Sequence, residues 1–228
     1  MTVMPDATWL ELCIDVTDPR SGMTQFWAAA VGGHATDPRD DTDPGDVMGN
    51  PPGGDLAMCP VPEPVTVKQR VHLDVHTTDV QLLVDAGATV LREPDEEISW
   101  TVLADPEGGE VCAFLRDQVG DYRLYEVVVD SVDPERVARW WAERFGVAAG
   151  HEGGTEWSLA GVPGMPFECF VFDTVPEPKT VKNRIHWDVY GKVEDFLAAG
   201  ATHLWDTKAW TVLADPEGNE FCVFPPAG

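Results

Sequence analysis

The chain has 228 residues, of which 43% are hydrophobic, so it can bury a sizeable core in one large domain or two small ones. Its formal net charge of -25, from 40 acidic and 15 basic side chains, argues against nucleic acid and anionic membranes as partners. No apolar run approaches the roughly 20 residues of a membrane span, and the N-terminus lacks the features of a signal peptide. We therefore expect a cytoplasmic protein whose partners are small molecules.

The five cysteines are odd in number, scattered and mostly placed inside apolar strands. They include no CxxC pair and no zinc-finger spacing, which indicates reduced thiols rather than a disulfide framework. The sequence has no glycine-rich phosphate loop, so no nucleotide cofactor is expected.

The first half of the chain predicts strands alternating with short helices. Residues 10–16 alternate as a strand, and Asp18-Pro19 predicts the N-cap and first turn of a helix that ends at Gly32. Residues 38–55 are rich in Pro, Gly and Asp and predict a long loop. Further strands are predicted at residues 56–59 and 71–75, a helix at 80–86, and a hairpin at 100–114.

The second half repeats the first. Residues 210–224 copy residues 100–114 through the turn Asp-Pro-Glu-Gly, and residues 175–189 copy residues 61–75. Both halves also open with a strand followed by Asp-Pro. Matching blocks in the same order indicate a tandem duplication, with domains at residues 1–119 and 120–228. We predict an α+β fold of four βαβββ modules, two in each half.

Alternation places acidic and imidazole side chains on one face of the strands. In the first half, Glu11 opens the first strand, His72 and Asp74 share one face of the middle strand, and Glu110 opens the last. Their counterparts in the second half are Glu126, His186, Asp188 and Glu220. A solvent-facing sheet favours Thr, Lys and Arg, so these faces predict the lining of a cavity.

One histidine and two carboxylates, completed by water, suit a divalent ion such as Zn, Fe, Mn or Ni. The alternative is that each histidine is a core residue hydrogen-bonded to a neighbouring carboxylate. Both interpretations stay open, because duplication copies a structural residue as faithfully as a metal ligand.

Two weaker sets surround these positions. Basic residues before the middle strands either meet an anionic substrate group or pair with nearby carboxylates, and pairing is favoured: Lys68, Arg70, Lys182 and Arg184. Candidate walls of a ligand pocket are Trp100, Trp210, Cys112, Cys222, His76 and Tyr190. For the two thiols, a buried inert cysteine is the simpler interpretation.

The Asp-Pro-Glu-Gly-Asn-Glu hairpin and the Val-Pro-Glu-Pro-x-Thr-Val-Lys-x-Arg-x-His-x-Asp block resemble the vicinal oxygen chelate superfamily. Together with the strand–Asp-Pro–helix opening, they are similar to its glyoxalase-like, bleomycin-resistance and dioxygenase branch over nearly the whole chain. The resemblance implies two tandem glyoxalase-like domains with U-shaped mixed sheets around cavities.

By position, the resemblance implies two sets of metal ligands, Glu11/His72/Glu110 and Glu126/His186/Glu220. The chain departs from the family pattern in two ways. Relatives often open with His where this chain has Glu, and Cys59 and Asp173 stand where glyoxalases have a further Glu.

We predict a metal-dependent enzyme of isomerase, lyase or dioxygenase type acting on a small oxygenated molecule, with Asp74 or Asp188 as base. The alternative is a metal-free protein that binds a small molecule, of the antibiotic-sequestering bleomycin-resistance type. We expect either a monomer with pseudo-dimeric halves or a homodimer.

Overall fold

The computed structural model describes residues 5–151 and 153–226. Within that range the first half forms β1 (Ala7–Val16), α1 (Met23–Val31), β2 (His34–Ala35), β3 (Val47–Met48), β4 (Leu56–Pro60), β5 (Val71–Thr77), α2 (Gln81–Asp85), β6 (Thr89–Arg92), β7 (Thr101–Ala104) and β8 (Glu110–Leu115). The second half forms β9 (Leu124–Ser131), α3 (Pro134–Phe145), β10 (Ala149–Gly150), β11 (Trp157–Ala160), β12 (Cys169–Thr174), β13 (Ile185–Gly191), α4 (Val193–Ala198), β14 (Thr202–Asp206), β15 (Thr211–Ala214) and β16 (Glu220–Phe224). The predicted α+β fold of four βαβββ modules is confirmed.

The strands form two eight-stranded mixed sheets, and each sheet combines one module from each half. Sheet I has the order β14-β15-β16-β13-β1-β4-β3-β2, and sheet II has the order β10-β11-β12-β9-β5-β8-β7-β6. The first module therefore pairs with the fourth, and the second with the third. The division at residues 119 and 120 stays a prediction, but each sheet takes strands from both sides of it.

The modules join through antiparallel pairs of their opening strands. In sheet I, β1 pairs with β13 so that Glu11 lies opposite Asp188 and Cys13 opposite His186. In sheet II, β5 pairs with β9 so that Asp74 lies opposite Glu126. Residues directly opposite in an antiparallel pair share a face, so the polar faces of two modules merge.

The helix after Asp18-Pro19 begins later than predicted. Asp18 Oδ1 accepts a hydrogen bond from the Arg20 amide at 2.9 Å in a local turn, and Gly22, with φ of 87°, precedes the helix in the left-handed region. A helix cannot pass through that conformation, so α1 starts at Met23. In the second half Asp133 caps the Arg136 amide at 3.2 Å and Pro134 opens the helix, as predicted.

An aromatic core ties the two sheets together through α3. Trp141 lies 5.4 Å from Trp187 and 4.8 Å from Phe221 in sheet I, measured between ring centroids. The same indole lies 6.3 Å from Phe170 in sheet II. All four side chains are fully buried. Such edge-to-face contacts add to the burial of apolar area in holding the sheets in one body.

A disulfide joins Cys13 on β1 to Cys59 on β4, whose Cα atoms lie 6.4 Å apart. The prediction of reduced thiols is wrong for this pair. The two strands pair in parallel with Cys13 opposite Ala57, which brings Cys59 to the diagonal position. A separation of 46 residues along the chain hides that proximity. Cys112 and Cys222 are buried free thiols.

No helix in the described part of the chain is long and apolar enough to cross a membrane.

Candidate functional site

Three side chains of sheet II converge from two neighbouring strands. His72 and Asp74 lie on the same face of β5, and β8 runs parallel beside it with Cys112 opposite Asp74. Ligand atoms of these three residues lie within 4.8 Å of one another. His72 Nε2 is 3.4 Å from Asp74 Oδ1, and the Cys112 thiol hydrogen-bonds to the Asp74 carboxyl group. We call this trio site II.

Sheet I holds the same trio at equivalent positions, and we call it site I. His186 and Asp188 lie on β13, and Cys222 lies opposite Asp188 on β16. Their ligand atoms again lie within 4.8 Å of one another, with His186 Nε2 at 3.8 Å from Asp188 Oδ1. The sequence predicts Asp188 as a base and Cys222 as a pocket wall. It does not predict that either residue joins His186 as a metal ligand.

A glutamate from the partner module lies beside each trio. Glu126 is opposite Asp74 in sheet II, and Glu11 is opposite Asp188 in sheet I. Both glutamates are only partly buried, whereas both aspartates are buried. Each trio therefore lies beneath a glutamate that has more access to solvent.

Burial of these carboxyl groups raises their affinity for protons. The pKa of Asp74 rises to about 8, first through desolvation and then through repulsion from Glu126. Desolvation likewise raises the pKa of Asp188 to about 7, with repulsion from Glu11 adding to it. The pKa of Glu11 rises to about 7, through burial and then through Asp55 and Asp46. Burial also raises the pKa of Glu126 to about 7.

The imidazoles shift the opposite way. Burial lowers the pKa of His72 to about 4 and that of His186 to about 3. Both rings are neutral near pH 7, the form in which a histidine nitrogen binds a metal. Burial raises the pKa of the Cys112 and Cys222 thiols, so both are protonated without a cation nearby.

The donor set of each trio fits a divalent transition metal. Within the described chain, Asp74 Oδ1 and Asp188 Oδ1 are buried without a hydrogen-bond partner, as is His186 Nδ1. A buried polar atom without a partner costs free energy, and a cation would satisfy it. Imidazole, carboxylate and thiolate together are ligands typical of zinc and similar ions.

The predicted ligand sets drew their members from one half of the chain, and that grouping is wrong. Sheet I brings Glu11 together with His186, and sheet II brings Glu126 together with His72. The reason is that the opening strands of modules pair across the halves. Since the two halves carry equivalent residues, each site still receives one glutamate and one histidine of the predicted kinds.

The last-strand glutamates have different surroundings in the two sheets. Glu220 Oε1 accepts a hydrogen bond from Lys179 Nζ at 2.7 Å, and Glu220 Oε2 accepts one from the Asn183 amide at 3.1 Å. Glu110 has Lys68 Nζ at 3.9 Å. The ion pair between Lys179 and Glu220 has a signal in the sequence, because Lys179 stands where the first repeat has Val65.

Aromatic side chains line the same faces beyond the trios. Trp100 stacks on Phe114 at 5.3 Å and contacts the Cys112 thiol. Trp210 stacks on Phe224 at 5.2 Å. His76 stacks on Tyr125 at 4.3 Å.

Tyr190 lies opposite Phe224 across β13 and β16. Of the residues predicted as pocket walls, Trp100 and Trp210 directly precede β7 and β15, and the others lie on the strands of the two trios. Their role in binding a ligand stays a prediction.

The sequence of the chain matches the profile of the glyoxalase-like domain twice, over residues 11–114 and 126–224. The chain belongs to this family, within the vicinal oxygen chelate superfamily, in a tandem two-domain form. No curated protein matches it significantly.

Among solved structures, glyoxalase I from Zea mays is similar with a TM-score of 0.66 and 14% identity, over 96% of this chain and 92% of that one. A proposed dioxygenase from Bacillus subtilis subsp. subtilis is similar with a TM-score of 0.63 and 14% identity, over 99% of this chain and 87% of that one. At this identity the likeness establishes the fold alone.

Proposed function

We propose that the protein is a metal-dependent enzyme of isomerase, lyase or dioxygenase type acting on a small oxygenated molecule. The observation that carries the proposal is the repeated trio, with a buried carboxyl oxygen left unpartnered in each sheet. His72, Asp74 and Cys112 would hold one ion, and His186, Asp188 and Cys222 a second. When bound, such an ion supplies Lewis-acid polarisation of a substrate oxygen.

Glu126 and Glu11 are the groups best placed to move a proton. Each lies opposite the aspartate of its trio and is partly open to solvent, whereas the aspartates are buried beside a thiol. A pKa of about 7 for either glutamate suits proton transfer near neutral pH. The proposal therefore gives the aspartates to the metal and proton transfer to the glutamates.

The aromatic residues beyond each trio would bind the rest of the substrate. Two stacked pairs lie nearby: Phe114 and Phe224 are on the strands of the two trio cysteines, and they stack on Trp100 and Trp210, which directly precede the neighbouring strands β7 and β15. Flat apolar surfaces of this kind hold a planar or hydrophobic group and exclude water from the reacting oxygen.

Metal analysis of the purified protein tests the proposal. We expect about two equivalents of metal per chain, about one in His72→Ala or His186→Ala, and almost none in the double variant. Exposed His34→Ala, on the two-residue strand β2, is the matched control and should retain both ions. A parent protein without metal after incubation with Zn, Fe, Mn or Ni would contradict the proposal. It would favour a metal-free protein of the bleomycin-resistance type.

A further inference from the structure

A cavity lies between the two segments that cross from one sheet to the other. Residues 61–70 lead from β4 in sheet I to β5 in sheet II, and residues 175–184 lead from β12 back to β13. Between these crossover segments lies a cavity of about 840 Å³. Neither His72 nor His186 is among the described residues that line it. Asp15 does line it and has a carboxylate oxygen within 4.8 Å of a ring nitrogen of His186, so the cavity borders site I.

The cavity has two similar walls, because the crossover segments are copies of one another. Val67 and Val181 are equivalent positions that line it, and their exposed fractions are 46% and 44%. Val65, Pro64, Pro178 and Val175 extend this apolar lining. Exposed valines are unremarkable singly, but matched valines in one concavity provide an apolar binding surface.

Two arginines fix the crossover segments to each other. Arg70 Nη1 donates to the Glu177 carbonyl of the opposite segment at 2.6 Å. Arg184 Nη1 donates to the Glu63 carbonyl at 2.6 Å, the same contact in reverse. The cavity is thus held in shape before any ligand enters, which lowers the entropic cost of binding.

The charged groups that line the cavity include two ion pairs. Lys68 Nζ lies 3.3 Å from Asp130 Oδ2, and Lys182 forms an ion pair with Asp15. The eight charged residues that line the cavity are four acids and four bases, so positive and negative charges balance there, although the whole chain carries -25. An anionic ligand that binds either lysine displaces an aspartate, and a cationic ligand that binds either aspartate displaces a lysine. An uncharged ligand avoids both costs.

We propose that this cavity binds one uncharged, largely apolar small molecule per chain, in a position that none of the six trio residues lines. Its volume of about 840 Å³ falls in the usual range of roughly 300–1,000 Å³ for small-molecule pockets. The cavity is shared by both repeats and so takes one ligand, whereas the trio of metal ligands occurs twice, as site I and site II.

Titration with the uncharged dye Nile red, followed by fluorescence, tests the proposal. We expect saturable binding of one dye per chain, at least about tenfold tighter than that of the anionic dye 8-anilinonaphthalene-1-sulfonate. The variant Val67→Trp/Val181→Trp fills the cavity and should weaken Nile red binding at least about tenfold. The control Val90→Trp/Val132→Trp changes exposed valines elsewhere and should leave binding unchanged.

A lysine variant, Val67→Lys/Val181→Lys, covers the case in which the tryptophan variant does not fold. It adds unpaired charge to the apolar walls and should also weaken binding. Three results would overturn the proposal: two dyes per chain, equal loss in the control, or unchanged binding in the folded variants. The variant His72→Ala/His186→Ala should lose its metal but still bind the dye. Metal content and dye binding therefore test the two proposals separately.

Discussion

At the scale of single residues, both sites bury acids without a basic partner. Asp74 and Asp188 are each 5% exposed and meet a thiol and a neutral imidazole rather than Lys or Arg. Asp15 and Asp130, on neighbouring strands, are instead paired with Lys182 and Lys68. These two lysines thus lie beside the sites, and no described Lys or Arg side chain pairs with the aspartates of the trios.

This arrangement predicts that the metal-free protein loses stability as the pH rises from 6.5 to 8. In the fold the pKa of Asp74 is about 8 and that of Asp188 about 7, against 3.8 when unfolded. The folded protein thus retains protons that the unfolded chain has released, so the free energy of unfolding falls as these groups ionise. The histidines, with folded pKa values of about 4 and about 3, contribute stability that grows with pH only up to about 6.5.

Between pH 6.5 and pH 8, the free energy of unfolding should decrease by about 2 kcal/mol less in Asp74→Asn/Asp188→Asn than in the parent protein. Denaturant unfolding at pH 6.5 and pH 8, with a chelator present, measures it. Asp37→Asn/Asp117→Asn alters two exposed acids and controls for net charge. If the free energy of unfolding changed equally with pH in the parent and in Asp74→Asn/Asp188→Asn, the raised pKa values of Asp74 and Asp188 would be refuted.

At the scale of elements, the repeated hairpin turn joins the sheets. The Glu107 carboxylate, from the turn between β7 and β8 in sheet II, accepts hydrogen bonds from the Thr17 amide at 2.9 and 2.8 Å. It also accepts one from the Asp18 amide at 2.8 Å and pairs with Arg184 at 3.2 Å. Glu217 does the same in reverse, accepting from the Asp133 amide at 2.7 Å. The glutamate of each Asp-Pro-Glu-Gly turn therefore connects a module of one sheet to a module of the other.

Glu107→Gln is expected to destabilise the fold by about 1–3 kcal/mol, since it weakens charge-assisted hydrogen bonds and removes a partly buried ion pair. Glu217→Gln should cost less, because the described contacts of Glu217 are to two backbone amides only, Val132 and Asp133. Denaturant unfolding measures both, with exposed Glu96→Gln as the control. Equal effects of all three changes would show that the contacts of Glu107 and Glu217 do not contribute to the free energy of unfolding.

At the scale of the whole molecule, neither half completes a sheet by itself. β1 of the first half has its neighbour β13 in the second, and β5 of the first half has its neighbour β9 there. If the first half were expressed without the second, the central strands β1 and β5 and their apolar faces would be exposed. A second copy of the same half could cover both, because β13 is equivalent to β5 and β9 to β1.

Residues 1–119 expressed alone are therefore expected to form a homodimer. Sedimentation equilibrium of the fragment, with circular dichroism to establish folding, measures this. The full chain is the matched reference for mass and helix content. A folded monomeric fragment would contradict the need for pairing between the halves.

Local sequence determined the modules and the polar residues of their faces. Alternation along residues 71–75 and 185–189 separates His72 and His186 from the buried apolar positions, and this depends only on the two-residue period of a strand. The helix after Asp133-Pro134 was also predictable, because its cap and first turn lie within four residues. The repeated blocks established the fold class and the family resemblance.

Only the tertiary structure decided which residues meet. Because the halves are near copies, pairing within a half and pairing between halves satisfy the same local pattern, and long-range packing selects β1 with β13 and β5 with β9. That choice places Glu11 beside Asp188 rather than beside His72, and it brings the two crossover segments together around one cavity. It also sets Cys13 against Cys59, a contact between parallel strands that no spacing along the chain reveals.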